Sequence, residues 1–165
     1  MNSCWKGLFF MLRLFDKDKE IKYDINQYLL EVFPLENFSA FGLTMDGVYF
    51  KTGEHAFQYL KFKDKKICDE IIHCNSPYDA RVLGGKYKSK RIPNWSDVKY
   101  EYLEKVFRLK LEQNPMVKDA LLASKDYQIC EYCIDEDIEW GLDQNGNGEN
   151  RLGKAWMKIR DEIKK

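Results

Sequence analysis

The stretch Thr52 to Phe62 reads T-G-E-H-A-F-Q-Y-L-K-F. At about 100° per residue, helical spacing sets Glu54, Gln58 and Lys61 within roughly 60° of one another. Ala56, Phe57 and Leu60 fall on the adjoining flank, where a core would lie. A carboxylate, an amide and an amine in line beside an apolar wall suit the side of a pocket for a polar substrate. A solvated stripe with a Glu–Lys pairing meets the same spacing. His55 sits one residue past Glu54, about 100° further around the helix, and reads as a capping or buried polar residue rather than a catalytic one.

A second concentration of chemistry lies in residues 134–150, a long polar loop that includes Asp135, Glu136, Asp137, Glu139 and Trp140. Loops of that length inside a domain are usually functional or disordered, and the Trp140-Gly141 pair favours function. Asp143, Asn145, Asn147 and Gly148 imitate the start of a calcium-binding loop. The twelfth position, however, holds Lys154 where a bidentate glutamate is needed, and Arg151 at the ninth repels a cation, so calcium is excluded. Gly146 and Gly148 instead suit an anion cradle at the N-terminus of the following helix, with Arg151 adding charge; an ordinary turn fits the same residues. Cys130 and Cys133 lack the ligand set for zinc, since the chain's histidines are His55 and His73 alone. Trp95 and Trp140 follow turn signals, and either can stack on a flat heterocycle or enter the core.

The elements that must position these groups are legible from local signals. Leu43–Met45 and Val48–Phe50 flank Asp46-Gly47, a hairpin signal. Thr52 caps the helix carrying Glu54, which runs into or near a second apolar set, Ile67, Ile71 and Ile72. Ser76-Pro77 starts a helix that reaches Gly84-Gly85. Lys86 to Pro93 is a basic loop holding Lys86, Lys88, Lys90 and Arg91, and Ser96 or Asp97 caps a long helix ending at Asn114-Pro115. Met116–Ala123 reads as a short helix, Tyr127–Cys133 as a strand and Arg151–Ile163 as an amphipathic helix. The fold class predicted is mainly α with a small β element, α+β, in a single domain.

Composition narrows the function class. A chain of 165 residues that is 44% hydrophobic can hold a substantial core. With 27 basic and 27 acidic residues, bulk charge gives no non-specific hold on nucleic acid or membrane, while leaving room for a local phosphate site. Five cysteines and the lack of a secretory leader predict reduced thiols and a cytoplasmic location. Gly7 to Phe15 is apolar but interrupted by Arg13, too short to span a bilayer. It is expected to pack as a short helix or strand, or to belong to a variable extension over residues 1–30 that flanks a domain of residues 31–165.

The helical stretch resembles the T-S-E-H-x-x-Q-x-x-K-F signature of the NADAR (YbiA-like) family, and further matches follow in order. They are Leu35-Glu36-Asn37-Phe38, then Ser76-Pro77 with Ala80 and Leu83-Gly84, then Asn94-Trp95 with Val98-Lys99. Lys110 with Gln113-Asn114 comes next, followed by Asp137 with Trp140-Gly141. The last block is Gly148, Asn150 and Leu152-Gly153 with Met157 and Arg160. The likeness covers about residues 33–163. Gly53 departs from it, replacing the family's small hydroxyl residue, which is expected to loosen the first helical turn slightly.

The resemblance implies a YbiA-like fold and cleavage of N-glycosidic bonds. The substrates it implies are phosphorylated intermediates of riboflavin synthesis, or ADP-ribose attached to guanine in nucleic acid. It also leaves a non-catalytic module for ADP-ribose or NAD metabolites as the alternative. Breaking such a bond builds positive charge at the ribose C1, which calls for a carboxylate, a proton for the departing nitrogen and anchors for phosphate and base. The resemblance points to Glu54 as leading carboxylate and Asp137 as second. Lys61 would orient Glu54, protonate the leaving group or form an imine with opened ribose. Trp95 and Trp140 would stack on the base; Gly148, Asn150 and Arg151 would hold phosphate or ribose, with Asn37 and Gln58 hydrogen-bonding nearby. No metal, cofactor or membrane partner is implied. The basic loop at Lys86–Arg91 would favour ADP-ribosylated nucleic acid if it tracks a backbone, and is otherwise a solvated loop.

Overall fold

The computed structural model describes residues 10–15, 30–133, 138–143 and 145–165. Its contacts separate into two units, Asn37–Lys118 and a second made of Met1–Glu36 with Asp119–Lys165. Six α-helices and two small antiparallel sheets are present among the described residues, an α-rich architecture.

In the Asn37–Lys118 unit, strands β2 (Leu43–Met45) and β3 (Val48–Phe50) pair antiparallel, with Leu43 opposite Phe50 and Met45 opposite Val48. Asp46 and Gly47 take φ of 52° and 81°, the positive angles that a type I′ turn demands. Leu43, Met45 and Phe50 turn inward and are buried. Helix α1 (Gly53–Tyr59) follows, its first turn capped by Thr52, whose hydroxyl accepts from the His55 N–H. Rather than continuing, α1 stops at Leu60. Asp64 then starts helix α2 (Lys65–His73) by accepting from the Lys66 and Ile67 amides.

Helix α3 (Pro77–Lys86) is capped by Ser76, has proline at its first position and runs through both glycines. A 3-10 turn at Lys88–Lys90 then occupies the basic segment. Helix α4 (Trp95–Gln113) begins earlier than expected. Asn94 occupies the cap position without a side-chain bond, so neither Ser96 nor Asp97 caps it. The end of α4 pins the segment before β2 through side chains at helical spacing. The buried Lys110 ammonium donates to Ser39 Oγ at 2.8 Å, and Asn114 Nδ2 donates to the Gly42 carbonyl at 2.9 Å.

Helix α5 (Pro115–Ala123) carries the chain into the second unit. There β1 (Phe10–Phe15) pairs antiparallel with β4 (Gln128–Cys133), Phe10 opposite Cys133 and Phe15 opposite Gln128. Part of the apolar N-terminal run is therefore a strand; the rest lies outside the described residues. Helix α6 (Arg151–Ile163) buries Leu152, Ala155, Trp156 and Ile159 at helical spacing. Trp156 Nε1 donates to the Leu35 carbonyl, and buried Arg160 donates through Nη1 to Ser124 Oγ and the Tyr127 carbonyl.

His55 is 1% exposed and has the structural role expected of it. Its Nε2 lies 3.2 Å from the Cys74 carbonyl, which can only accept, so Nε2 carries the proton. Nδ1 is then the acceptor for the Thr52 hydroxyl at 2.8 Å. Burial holds the His55 pKa below its usual value of 6.5.

Two outcomes follow from this packing. Unfolded chain binds a proton at position 55 more readily than folded chain, so His55 stabilises the fold fully above about pH 6.5 and loses that contribution as the pH falls below it. Chemical-denaturation midpoints are expected to drop between pH 7 and pH 5, and His55→Gln to flatten that slope. Separately, a methyl group at Gly153 would collide with the Ile129 carbonyl oxygen and the Asn150 amide. Overpacking of about 1–3 kcal/mol outweighs the roughly 1 kcal/mol helix gain of alanine, so Gly153→Ala is expected to be destabilising in urea titrations.

Candidate active site

Glu54 lies in the first turn of α1 and is 6% exposed, yet both of its carboxylate oxygens are engaged. Gln58, one turn on, donates Nε2 to Oε1 at 2.6 Å, and Asn37 donates Nδ2 to Oε2. The Asn37 carbonyl also accepts the Glu54 backbone N–H at 2.9 Å, so one residue fixes both the main chain and the side chain of the acid. The two amides are themselves buried, at 7% for Asn37 and 3% for Gln58. A carboxylate held by two fixed donors has one orientation, and it places a concentrated negative charge in a largely water-free setting.

Two glycines make that grip possible. A Cβ at Gly53 would strike the Asn37 amide oxygen, and a Cβ at Gly84 on α3 would strike the Gln58 amide oxygen. Each amide oxygen packs against glycine and has no hydrogen-bond partner, while each amide nitrogen faces Glu54. In this chain the Asn37 amide oxygen occupies the space that a Cβ at Gly53 would take.

Lys61 stands differently from the helical expectation. Because α1 ends at Tyr59, Lys61 lies in a tighter turn, its N–H donating to the Gln58 carbonyl at 3.2 Å. The oxygens of Glu54 are bonded by Asn37 and Gln58, not by the Lys61 ammonium. Instead Nζ lies 5.2 Å from the centroid of Phe57 and 5.4 Å from that of Trp95, with the residue 8% exposed. A cation over two aromatic faces is attracted by their quadrupoles. Trp95 is itself buried, its ring tilted against Phe57 at 5.2 Å and against Tyr102 at 6.0 Å. The structure thus brings together Asn37, Glu54, Gln58, Lys61 and Trp95 in one unit.

Four other predicted residues belong to the second unit. Asn150 is buried at φ 48°, and its side chain ties α6 to β4 by accepting from the Glu131 N–H and donating to the Ile129 carbonyl. Gly148 has φ 141°, and a Cβ there would meet the Gly141 and Ile138 carbonyls, so a close turn explains it. Arg151 is exposed and paired with Glu149 at 2.7 Å. The Arg151 and Leu152 amides donate to the Glu139 and Trp140 carbonyls, so these two N–H groups are spent within the chain and not left for an anion. Trp140 is half-buried. Asp143 organises its own turn by accepting from the Asn145 and Asn147 amides. These bonds, chiefly those from Asn147, hold its carboxyl below the usual range. Asp137 lies outside the described residues.

Sequence reasoning missed two contributors. Ser39 gives no periodic signal, yet it receives Lys110 two residues from Asn37. Arg91 reads as one of several basic loop residues. In the fold it is half-buried, its Nη2 donating to the Gly84 carbonyl at 3.2 Å, while the next amide, Ile92, donates to the Lys61 carbonyl at 2.9 Å.

The chain is similar to several known proteins. The N-glycosidase YbiA of Escherichia coli K12 is 35% identical over 127 residues, covering 77% of this chain and 79% of that one. An N-glycosidase of Nostoc punctiforme is 30% identical over 131 residues, 78% of this chain and 83% of its own length. A riboflavin biosynthesis protein of Vibrio vulnificus is 29% identical over 129 residues, 78% of this chain but 35% of that longer one. Among solved structures, the NMR structure of E. coli YbiA superposes with a TM-score of 0.75 at 31% identity, covering 92% of this chain and 89% of that one. The NADAR domain profile matches residues 15–164, and the chain belongs to the NADAR family.

Proposed function

We propose that this protein is an N-glycosidase that hydrolyses the bond between ribose C1 and a base nitrogen in a phosphorylated ribosyl substrate. The observation that carries this reading is the Glu54 carboxylate, buried and held by two amides, in the same unit as a Lys61 ammonium set over the Phe57 and Trp95 rings. The names of the E. coli and Nostoc relatives support it.

The chemistry has three demands. As the C1–N bond breaks, its electron pair leaves with the nitrogen, and C1 with the ring oxygen becomes cationic; a fixed carboxylate stabilises that charge. The departing nitrogen takes up a proton, for which the Lys61 ammonium is the donor within this unit. Water then bonds to C1 and loses a proton to a carboxylate, for which Glu54 is the candidate in this unit. Trp95 and Phe57 supply the flat apolar wall on which a planar leaving group rests.

Two substrate classes meet these demands. Phosphorylated intermediates of riboflavin synthesis are supported by the name of the Vibrio relative. Guanine carrying ADP-ribose presents the same C1–N linkage, and the basic segment Lys86–Arg91 is compatible with a nucleic-acid carrier.

The test is to incubate the purified protein with an ADP-ribosyl-guanine oligonucleotide and, separately, with a phosphorylated riboflavin precursor, reading products by mass spectrometry. Glu54→Gln is expected to lower turnover by about 10²–10⁴-fold, with substrate binding and thermal midpoint retained. Binding of either substrate by the wild type with no cleavage would instead make the protein a recognition module.

A further inference from the structure

We propose that Arg91 is the phosphate anchor of this site, a role that rests on the ribosyl-phosphate reading above. A guanidinium carries five N–H donors and needs acceptors or water for each. Nη2 spends one on the Gly84 carbonyl at 3.2 Å. Nε is out of contact with water and has no partner, and Nη1 has none among the described residues. No carboxylate lies within ion-pairing distance of Arg91 among those residues. A partly desolvated cation without a counter-ion is costly, and burial does depress its proton affinity. An anion from outside the chain is the missing partner, and arginine matches phosphate geometry better than any other side chain.

Its position is fixed relative to the catalytic groups by two short connections. The adjoining Ile92 amide bonds the Lys61 carbonyl. Gly84, whose carbonyl holds Nη2, is packed directly on the Gln58 side chain that donates to Glu54. The sequence around Arg91 adds positive charge, since no Asp or Glu occurs between Asp79 and Asp97 while Lys86, Lys88 and Lys90 do, although Glu70 of α2 reaches Tyr87 in this segment at 3.1 Å. Those lysines are exposed and well hydrated. Helix capping explains part of the geometry, because Gly84 lies in the last turn of α3, where arginine commonly meets a free carbonyl. That role uses one N–H; Nη1, which has no partner among the described residues and is open to solvent, is the donor left for an anion.

The experiment compares wild type, Arg91→Gln, Arg91→Lys, Lys88→Gln and Glu54→Gln by calorimetric titration with ribose 5-phosphate. Steady-state kinetics are run on a phosphorylated ribosyl substrate and its dephosphorylated counterpart. Arg91→Gln is expected to weaken ribose 5-phosphate binding and raise KM for the phosphorylated substrate by about 10–100-fold, the loss of one or two charge-assisted hydrogen bonds. kcat is expected to hold, and the dephosphorylated substrate to be unaffected. Arg91→Lys keeps the charge without the fork and is expected to fall between, which also covers a failure of Arg91→Gln to fold. Lys88→Gln and Glu54→Gln are expected to bind ribose 5-phosphate like wild type. Wild-type affinity and KM in both Arg91 variants, or no ribose 5-phosphate binding by the wild type, would overturn the anchor while leaving any Glu54-dependent cleavage standing. Arg91-dependent binding without cleavage by the wild type would leave the anchor standing and remove the glycosidase.

Discussion

A carboxylate taken out of water and held by two amide nitrogens is the constraint around which the Asn37–Lys118 unit is arranged. Glu54 keeps its position only while Asn37 and Gln58 keep theirs. Asn37 depends on the segment that Lys110 grips through Ser39, and Gln58 depends on the close approach of α3 at Gly84. Buried polar networks stabilise when satisfied and become liabilities when one member shifts. Such a site gains orientation at the expense of tolerance, which suits a group that must face developing charge at one atom.

Short helices serve this purpose better than one long helix. Had α1 continued without interruption, Lys61 would have stacked above Gln58 on the same stripe as Glu54. The turn at Leu60 takes the ammonium off that stripe and sets it over Phe57 and Trp95 instead. The two charged groups thereby keep different neighbours, two amide nitrogens for Glu54 and two aromatic rings for Lys61. Asp64 enforces the break, because its side chain satisfies the first amides of α2 and starts a new axis.

Local signals in the sequence sufficed wherever the cause was local. The Asp46-Gly47 turn, the Thr52 and Ser76 caps, the strand near Cys130 and the boundaries of α6 all follow from neighbours in the chain. Glu54, Gln58 and Trp95 were legible as a candidate site for the same reason, and Asn37 came from motif order. What was hidden depends on distant groups. The Lys61 expectation assumed a helix that outlasted its own cap. Asn150 and Gly148 also carry structural duties that neighbouring residues do not announce, Asn150 in its bonds to β4 and Gly148 in its close approach to Gly141. Arg91 had no distinguishing neighbour, since its burial is decided by α3 and not by the lysines beside it.

The pairing of Gln113 with Thr44 bears on how the molecule behaves among copies of itself. Gln113 accepts from the Thr44 N–H at 2.7 Å and donates to the Thr44 carbonyl at 2.8 Å, much as a neighbouring strand would. A two-stranded hairpin ordinarily exposes such groups as a template for another chain. Here one side chain at the end of α4 occupies the edge of β2, so that side of the ribbon has nothing left to offer a crowded cell, and the helix that braces the site also keeps the hairpin from recruiting strangers.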